Sequence, residues 1–278
     1  MTEGGGDRRM SKNELIYRQL SSFSLMLHGW GERFPAENTL PLIEKYFAMA
    51  NVEPQEGNVQ GIAPPEFKSY SIKTIRRRIL DGSISGLDLI GAYHFVDRDY
   101  KPSHDYFISF DMTYGNELAQ FVNAVSLEIE RSAIALNFRR ELLTFVTPCY
   151  GYSLEIQLGD DPALFATGTF AANDGMFEET NAWQQASHDM LGGCAHKQGR
   201  MRHVFSINIL SRPHMEARID GKSFGEWVRG PNRGTIEEWK SGVWVWRVPK
   251  EQRLRIASIL HFNGMLTAPD GFQNILIG

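Results

Sequence analysis

Residues 235–248 read TIEEWKSGVWVWRV. Thr235–Trp239 and Val243–Val248 are rich in β-branched and aromatic residues and flank Lys240-Ser241-Gly242, so they predict two strands around a tight turn. Alternation puts Trp244 and Trp246 on one strand face, which suits core packing better than ligand stacking. Lys250–Phe262, closed by Gly264, then places Leu254, Ile256, Ile259 and Leu260 on or near one side and Arg253 and Arg255 outward, an amphipathic helix. Strands and helices that come in clusters, rather than in strict βαβ alternation, predict an α+β fold: a mainly antiparallel sheet with helices packed against it.

The same reading extends upstream. FSLMLHGW (23–30) suits a strand leading into a loop, and Thr39 is a candidate N-cap for a helix through Leu42, Ile43, Tyr46, Phe47 and Ala50. Three prolines and two glycines between Asn51 and Pro65 predict a surface loop, followed by a short basic helix over Ser71–Leu80 with Lys73, Arg76, Arg77 and Arg78. Leu87–Val96 and Tyr106–Met112 resemble a hairpin. From Glu117 to Phe145 the apolar residues mostly recur every three or four positions, which predicts one long helix or two joined ones. Beyond Pro148, CYGYSLEIQL alternates as a strand, Phe165–Phe170 reads as another, Phe177–Leu191 as a helix, His203–Ile209 as a strand and Ser223–Val228 as a short helix.

The 278 residues carry 17 Phe, 9 Tyr and 6 Trp, ample for an ordered core. Residues 1–13 read as a flexible tail and 14–278 as a single large α+β domain, with a sub-division near residue 146 left open. A formal charge of −4 lacks the basic excess that phosphate neutralisation needs, so direct nucleic-acid binding is not expected. No stretch approaches the roughly 18 apolar residues that span a bilayer, so no membrane partner is expected. The charged, glycine-rich start has no apolar signal core, which points to the cytoplasm, and the two cysteines, Cys149 and Cys194, are expected to be reduced thiols. The sequence does not set the oligomeric state.

Motifs for chemistry are sparse. Cys194-Ala195-His196 brings Cys and His together but lacks the second close pair of a zinc site, and Asp97-Arg98-Asp99 reads as a solvated turn. No Gly-rich phosphate loop followed by Lys occurs, Gly-x-Ser-x-Gly is absent, and Cys149 follows a proline inside a strand-like segment. The expectation is therefore no catalytic residue, no metal and no cofactor. An alternative reading is a hydrolase or transferase assembled around the 94–111 hairpin from His94, Asp97, His104 and Asp105.

The strings MRHVFSINILSRPHM (201–215), SFGEWVRGPNRGTIEEW (223–239), GVWVWRVP (242–249) and the closing FNGML, with TPCYGYSLEIQ (147–157) before them, resemble bacterial immunity proteins of polymorphic-toxin and type VI secretion systems, most of all the immunity protein 52 family. The resemblance implies a non-enzymatic protein that neutralises a cognate secreted toxin stoichiometrically in the cytoplasm. For that family the implied toxin is a restriction-endonuclease-like nuclease. One feature of the residues themselves agrees. Between Glu141 and His196 there is no lysine or arginine, while eight carboxylates occur there. A nuclease presents positive charge to phosphates, so acidic residues can compete for its groove and speed encounter. Asp160, Asp161, Asp174, Glu178 and Glu179 are the candidate partner-binding residues.

Overall fold

The computed structural model describes residues 21–28, 36–61, 69–93, 104–113, 117–126, 147–157, 174–187 and 194–267, together with Phe138, Glu141, Leu143, Phe165 and Gly168. Among these residues ten strands form one sheet: β1 (Ser21–His28), β2 (Glu56–Gly61), β3 (Ser69–Ser71), β4 (Ile84–Ala92), β5 (Tyr106–Thr113), β6 (Glu117–Ser126), β7 (Tyr150–Gln157), β8 (Ile207–Ser211), β11 (Thr235–Lys240) and β12 (Val243–Arg247). Their spatial order is β11-β12-β8-β7-β1-β6-β5-β4-β2-β3, and every neighbouring pair is antiparallel. Strand β1 lies between β6 and β7, so the sheet runs unbroken across residue 146. A separate two-stranded ribbon joins β9 (Arg218–Ile219) to β10 (Lys222–Ser223). The fold is α+β, as the clustering of elements predicted.

Both faces of the sheet are covered. On β12, Val243 and Val245 enter one apolar cluster and Trp246 enters the other, as period-2 alternation requires. The same division separates Leu25 and Leu27 from Met26, and Tyr106 and Ile108 from Phe107. The first face is packed by α1 (Ala36–Ala50) and α2 (Ile72–Leu80), through Ile43, Tyr46, Phe47, Ile72 and Ile75. The second is packed by α3 (Asp174–Ser187), α4 (Arg212–Glu216), α5 (Phe224–Trp227) and α6 (Lys250–Phe262), through Trp183, Met215, Phe224, Trp227, Ile256, Ala257 and Leu260. Local chemistry sets the ends. Ser71 Oγ accepts the Thr74 amide at 3.4 Å to start α2, and Gly242, at φ +80°, supplies the left-handed residue of the β11–β12 turn.

Several expectations are corrected. Glu117–Ser126 is a strand, not the start of a helix: β6 pairs with β1 and with β5, and ladders on both sides override the three-or-four spacing. Phe138 and Leu143, further along, are helical and buried. Within the expected loop, Glu56–Gly61 forms β2. Gly57 is there for close approach rather than as a breaker, since a Cβ would stand 2.3 Å from both Ile90 Cδ1 and the Leu89 carbonyl. Helix α1 begins at Ala36, so Thr39 lies inside it and its hydroxyl donates to the Ala36 carbonyl at 3.2 Å. Strand β8 begins only at Ile207. The Asn208 side chain accepts from the Phe205 amide and donates to the Phe205 carbonyl, which holds the preceding residues out of the ladder. Phe165 is helical and Gly168 lies in a turn, against the expected strand, and the rest of 158–173 falls outside the described residues.

Candidate functional site

Strand β7 projects Tyr150 and Tyr152 from the same face, and β1, its neighbour, brings His28 opposite Tyr150. Helix α3 lies over them with Glu179, Thr180, Trp183 and Ser187 buried, the i, i+1, i+4, i+8 pattern of one helix face. Between helix and strand sits Arg202, fully buried, donated by the segment that follows Met201.

Arg202 organises the cluster. Its Nε and Nη2 donate to the two carboxylate oxygens of Glu179 at 2.6 and 2.7 Å, and Nη1 donates to the Tyr152 hydroxyl at 2.9 Å and the Phe165 carbonyl at 2.8 Å. Its backbone amide donates to the Tyr150 hydroxyl at 3.0 Å. The guanidinium also lies 4.3 Å from the Phe165 ring centre and 5.6 Å from that of Trp183. Burial by itself pushes the Arg202 guanidinium down, but the Glu179 carboxylate and the Tyr152 hydroxyl hold it above its ordinary value. Burial raises both tyrosines, Tyr150 well above the usual phenol range, so they remain protonated.

A shell of histidines and aromatic rings surrounds the pair. The His28 ring lies 5.9 Å from Tyr150 in a stack, 5.3 Å from Trp183 edge-on and 5.3 Å from His196, and His214 stacks on Tyr150 at 5.4 Å. His214 Nδ1 accepts from the Ser211 amide at 3.3 Å, which requires its lone pair, and burial pushes the ring down to about 3. Burial, with the charges of Arg202 and Arg253, pushes His203 down to about 4. Both imidazoles are neutral at pH 7. The arrangement is a buried ion pair in an aromatic box that ties α3 to the sheet.

The structure redistributes the candidate carboxylates. Glu179 is not a surface residue: at 1 % exposure with both oxygens on Arg202, it cannot face a partner, and its predicted contact role is withdrawn. Asp174 and Glu178 lie on α3, at register positions on the side of the helix away from Glu179 and Trp183, where Gln185 is exposed. Asp160 and Asp161 fall outside the described residues. Sequence reasoning missed Arg202, Trp183 and the two tyrosines. The available signals were an arginine beside a histidine between the apolar residues of MRHVF and the i, i+2 tyrosines of CYGY.

At the alternative location, His104 Nε2 stands 3.4 Å from Glu56 Oε1, and its ring packs on Gly91 and on Tyr93 at 4.5 Å. Asp105 is fully buried, and His94 and Asp97 fall outside the described residues. Among the described residues no group of three or more His, Cys, Asp or Glu side chains is placed to hold a metal ion, and Cys149 and Cys194 are each partly buried. No helix among them is long and apolar enough to cross a membrane.

Fold and site together define an α+β protein built on one broad antiparallel sheet, covered on both faces and stapled by a buried Arg–Glu pair. Its fold is similar to that of the Pseudomonas aeruginosa T6SS protein PA0821, with a TM-score of 0.57 and 10% identity over 90% of this chain and 77% of that one. No family model matches the chain, and no curated protein matches it, so the likeness of its C-terminal strings to the immunity protein 52 family has no family match behind it.

Proposed function

We propose that the protein is an immunity protein of a type VI secretion system, which binds a cognate toxin in the cytoplasm and neutralises it without catalysis of its own. The observation that carries this reading is the fold likeness to a protein of that secretion system across 90% of the chain. The strings between residues 147 and 265 that resemble immunity proteins agree with it. The toxin class the strings imply is a restriction-endonuclease-like nuclease, and the charge distribution fits one: eight carboxylates and no lysine or arginine between Glu141 and His196 suit a cationic DNA-binding groove. Of these, Glu179 anchors the helix internally, which leaves Asp174 and Glu178 as the α3 carboxylates assigned to the contact.

The test is protection of cells. The neighbouring gene's product is expressed in a bacterial host with and without this protein. Restored growth together with a co-purifying complex supports the reading; toxicity undiminished by a well-expressed, folded protein sinks it.

A further inference from the structure

Helix α2 carries an exposed outward face, tied to α1 through Arg76 and Glu44. Lys73, Arg76, Arg77 and Leu80 stand at i, i+3, i+4 and i+7, which is one stripe about 100° wide at 100° per residue. All four are exposed, Leu80 at 89 %. The inward positions are Ile72, Ile75 and Ile79, packed on the sheet. Arg78 is off the stripe, 4.5 Å from the Tyr70 ring centre and donating to its hydroxyl at 3.2 Å.

The stripe has little internal neutralisation. Helix α2 contains no acidic residue, and Glu44 of α1 pairs with Arg76 at 2.8 Å. Asp81, at the helix end, accepts the Ser83 amide at 2.9 Å, and its charge also acts on Arg77 and Arg78. Among the described residues neither Lys73 nor Arg77 has a carboxylate within 4 Å. A chain with a formal charge of −4 thus keeps a cationic stripe ending in an almost fully exposed leucine. Burying such a side chain against a partner is favourable, and the adjacent cations define that partner's charge.

The geometry points to α2 as a docking surface for a carboxylate-bearing, apolar polypeptide segment, whose acids meet Lys73, Arg76 and Arg77 while an apolar side chain covers Leu80. Nucleic acid fits less well, because three cations on a helix about 13 Å long neutralise few phosphates and Leu80 has no counterpart in a phosphate backbone. A membrane surface needs a broad apolar face, and this stripe has one apolar residue. Helix α2 packs on one face of the sheet and α3 on the other, so this contact is separate from the acidic one and does not depend on the proposed toxin.

The experiment titrates the full protein into a fluorescently labelled 15-residue peptide of glutamates and leucines, beside a counterpart with glutamine in place of glutamate. Saturable binding of the acidic peptide, weakened several-fold by added salt, is expected, with none by the glutamine peptide. The Lys73→Glu/Arg77→Glu variant should bind about tenfold more weakly, two reversed surface pairs at their usual strength. Leu80→Asn should lose roughly threefold or more, while an unchanged melting curve shows that both variants remain folded. Equal binding by parent and variants, binding of the glutamine peptide, or no saturable binding overturns the proposal. Preferential binding of a DNA duplex or of anionic phosphatidylserine vesicles, lost in the same variants, also overturns it by assigning the stripe to phosphate.

Discussion

Removing one half of the buried ion pair should be far more damaging than removing both. In Glu179→Leu the Arg202 guanidinium stays at 0 % exposure and loses the two acceptors now at 2.6 and 2.7 Å, while Nη1 keeps the Tyr152 hydroxyl and the Phe165 carbonyl. A buried charge stripped of its partner destabilises by about 3–5 kcal/mol. For a chain of this size that is a drop of roughly 10 °C in melting temperature. Arg202→Met leaves the Glu179 carboxylate equally stranded and should lose a similar amount. The double variant Glu179→Leu/Arg202→Met removes both charges together and should lose clearly less than the sum, because the desolvation penalty disappears with them. Urea unfolding of the four proteins gives the cycle directly. Additive losses, or single variants within about 0.5 kcal/mol of the parent, would refute the view that this pair clamps α3 to the sheet.

Other consequences are as definite. The folded pKa values of about 4 for His203 and about 3 for His214 lie below the ordinary 6.5, so the unfolded chain takes up protons first as pH falls. Stability should therefore be complete above pH 6.5 and decline below it, by roughly 4 kcal/mol at pH 5 for the two together, and His214→Asn should flatten the urea-measured pH profile by about half. Trp246→Ala should destabilise by about 3–5 kcal/mol, since the ring is fully buried and its Nε1 donates to the Arg233 carbonyl at 2.7 Å; an unchanged melting curve contradicts this. Gly151→Ala should lower the melting temperature even though alanine is small, because its Cβ would stand 2.7 Å from Leu27 Cδ2 and from the Met26 carbonyl. Replacing Asp174 and Glu178 with lysine should slow toxin association, measured by stopped flow, and leave the melting curve in place.

The legible parts of the fold were those where local pattern and tertiary role agree. The alternating VWVWR of β12, the turn ending in Gly242 and the Ser71-capped α2 carry their structure in a few adjacent residues. Strand β6 was illegible because one neighbour, β1, comes from a distant part of the chain, and its ladder together with that of the adjacent β5 outweighs the helical spacing. Strand β2 was hidden by Gly57, which reads as a breaker in one dimension and as a contact against Ile90 in three. The site shows the same limit. A count of carboxylates cannot separate Glu179, which finds Arg202 at a sequence separation of 23, from residues that face solvent. A stretch without any lysine or arginine must take a cationic partner from elsewhere, and for this buried glutamate that partner is intramolecular.

Stoichiometric neutralisation of a toxin is read out by titrating purified toxin with purified protein. With DNA cleavage as the readout and toxin held at a concentration well above the complex's dissociation constant, activity should fall linearly and reach zero at one equivalent of the protein. Protein with Asp174 and Glu178 reversed to lysine should need an excess. Cleavage that continues unchanged at several equivalents, or inhibition by catalytic amounts that points to an enzymatic modification of the toxin, would rule out stoichiometric neutralisation.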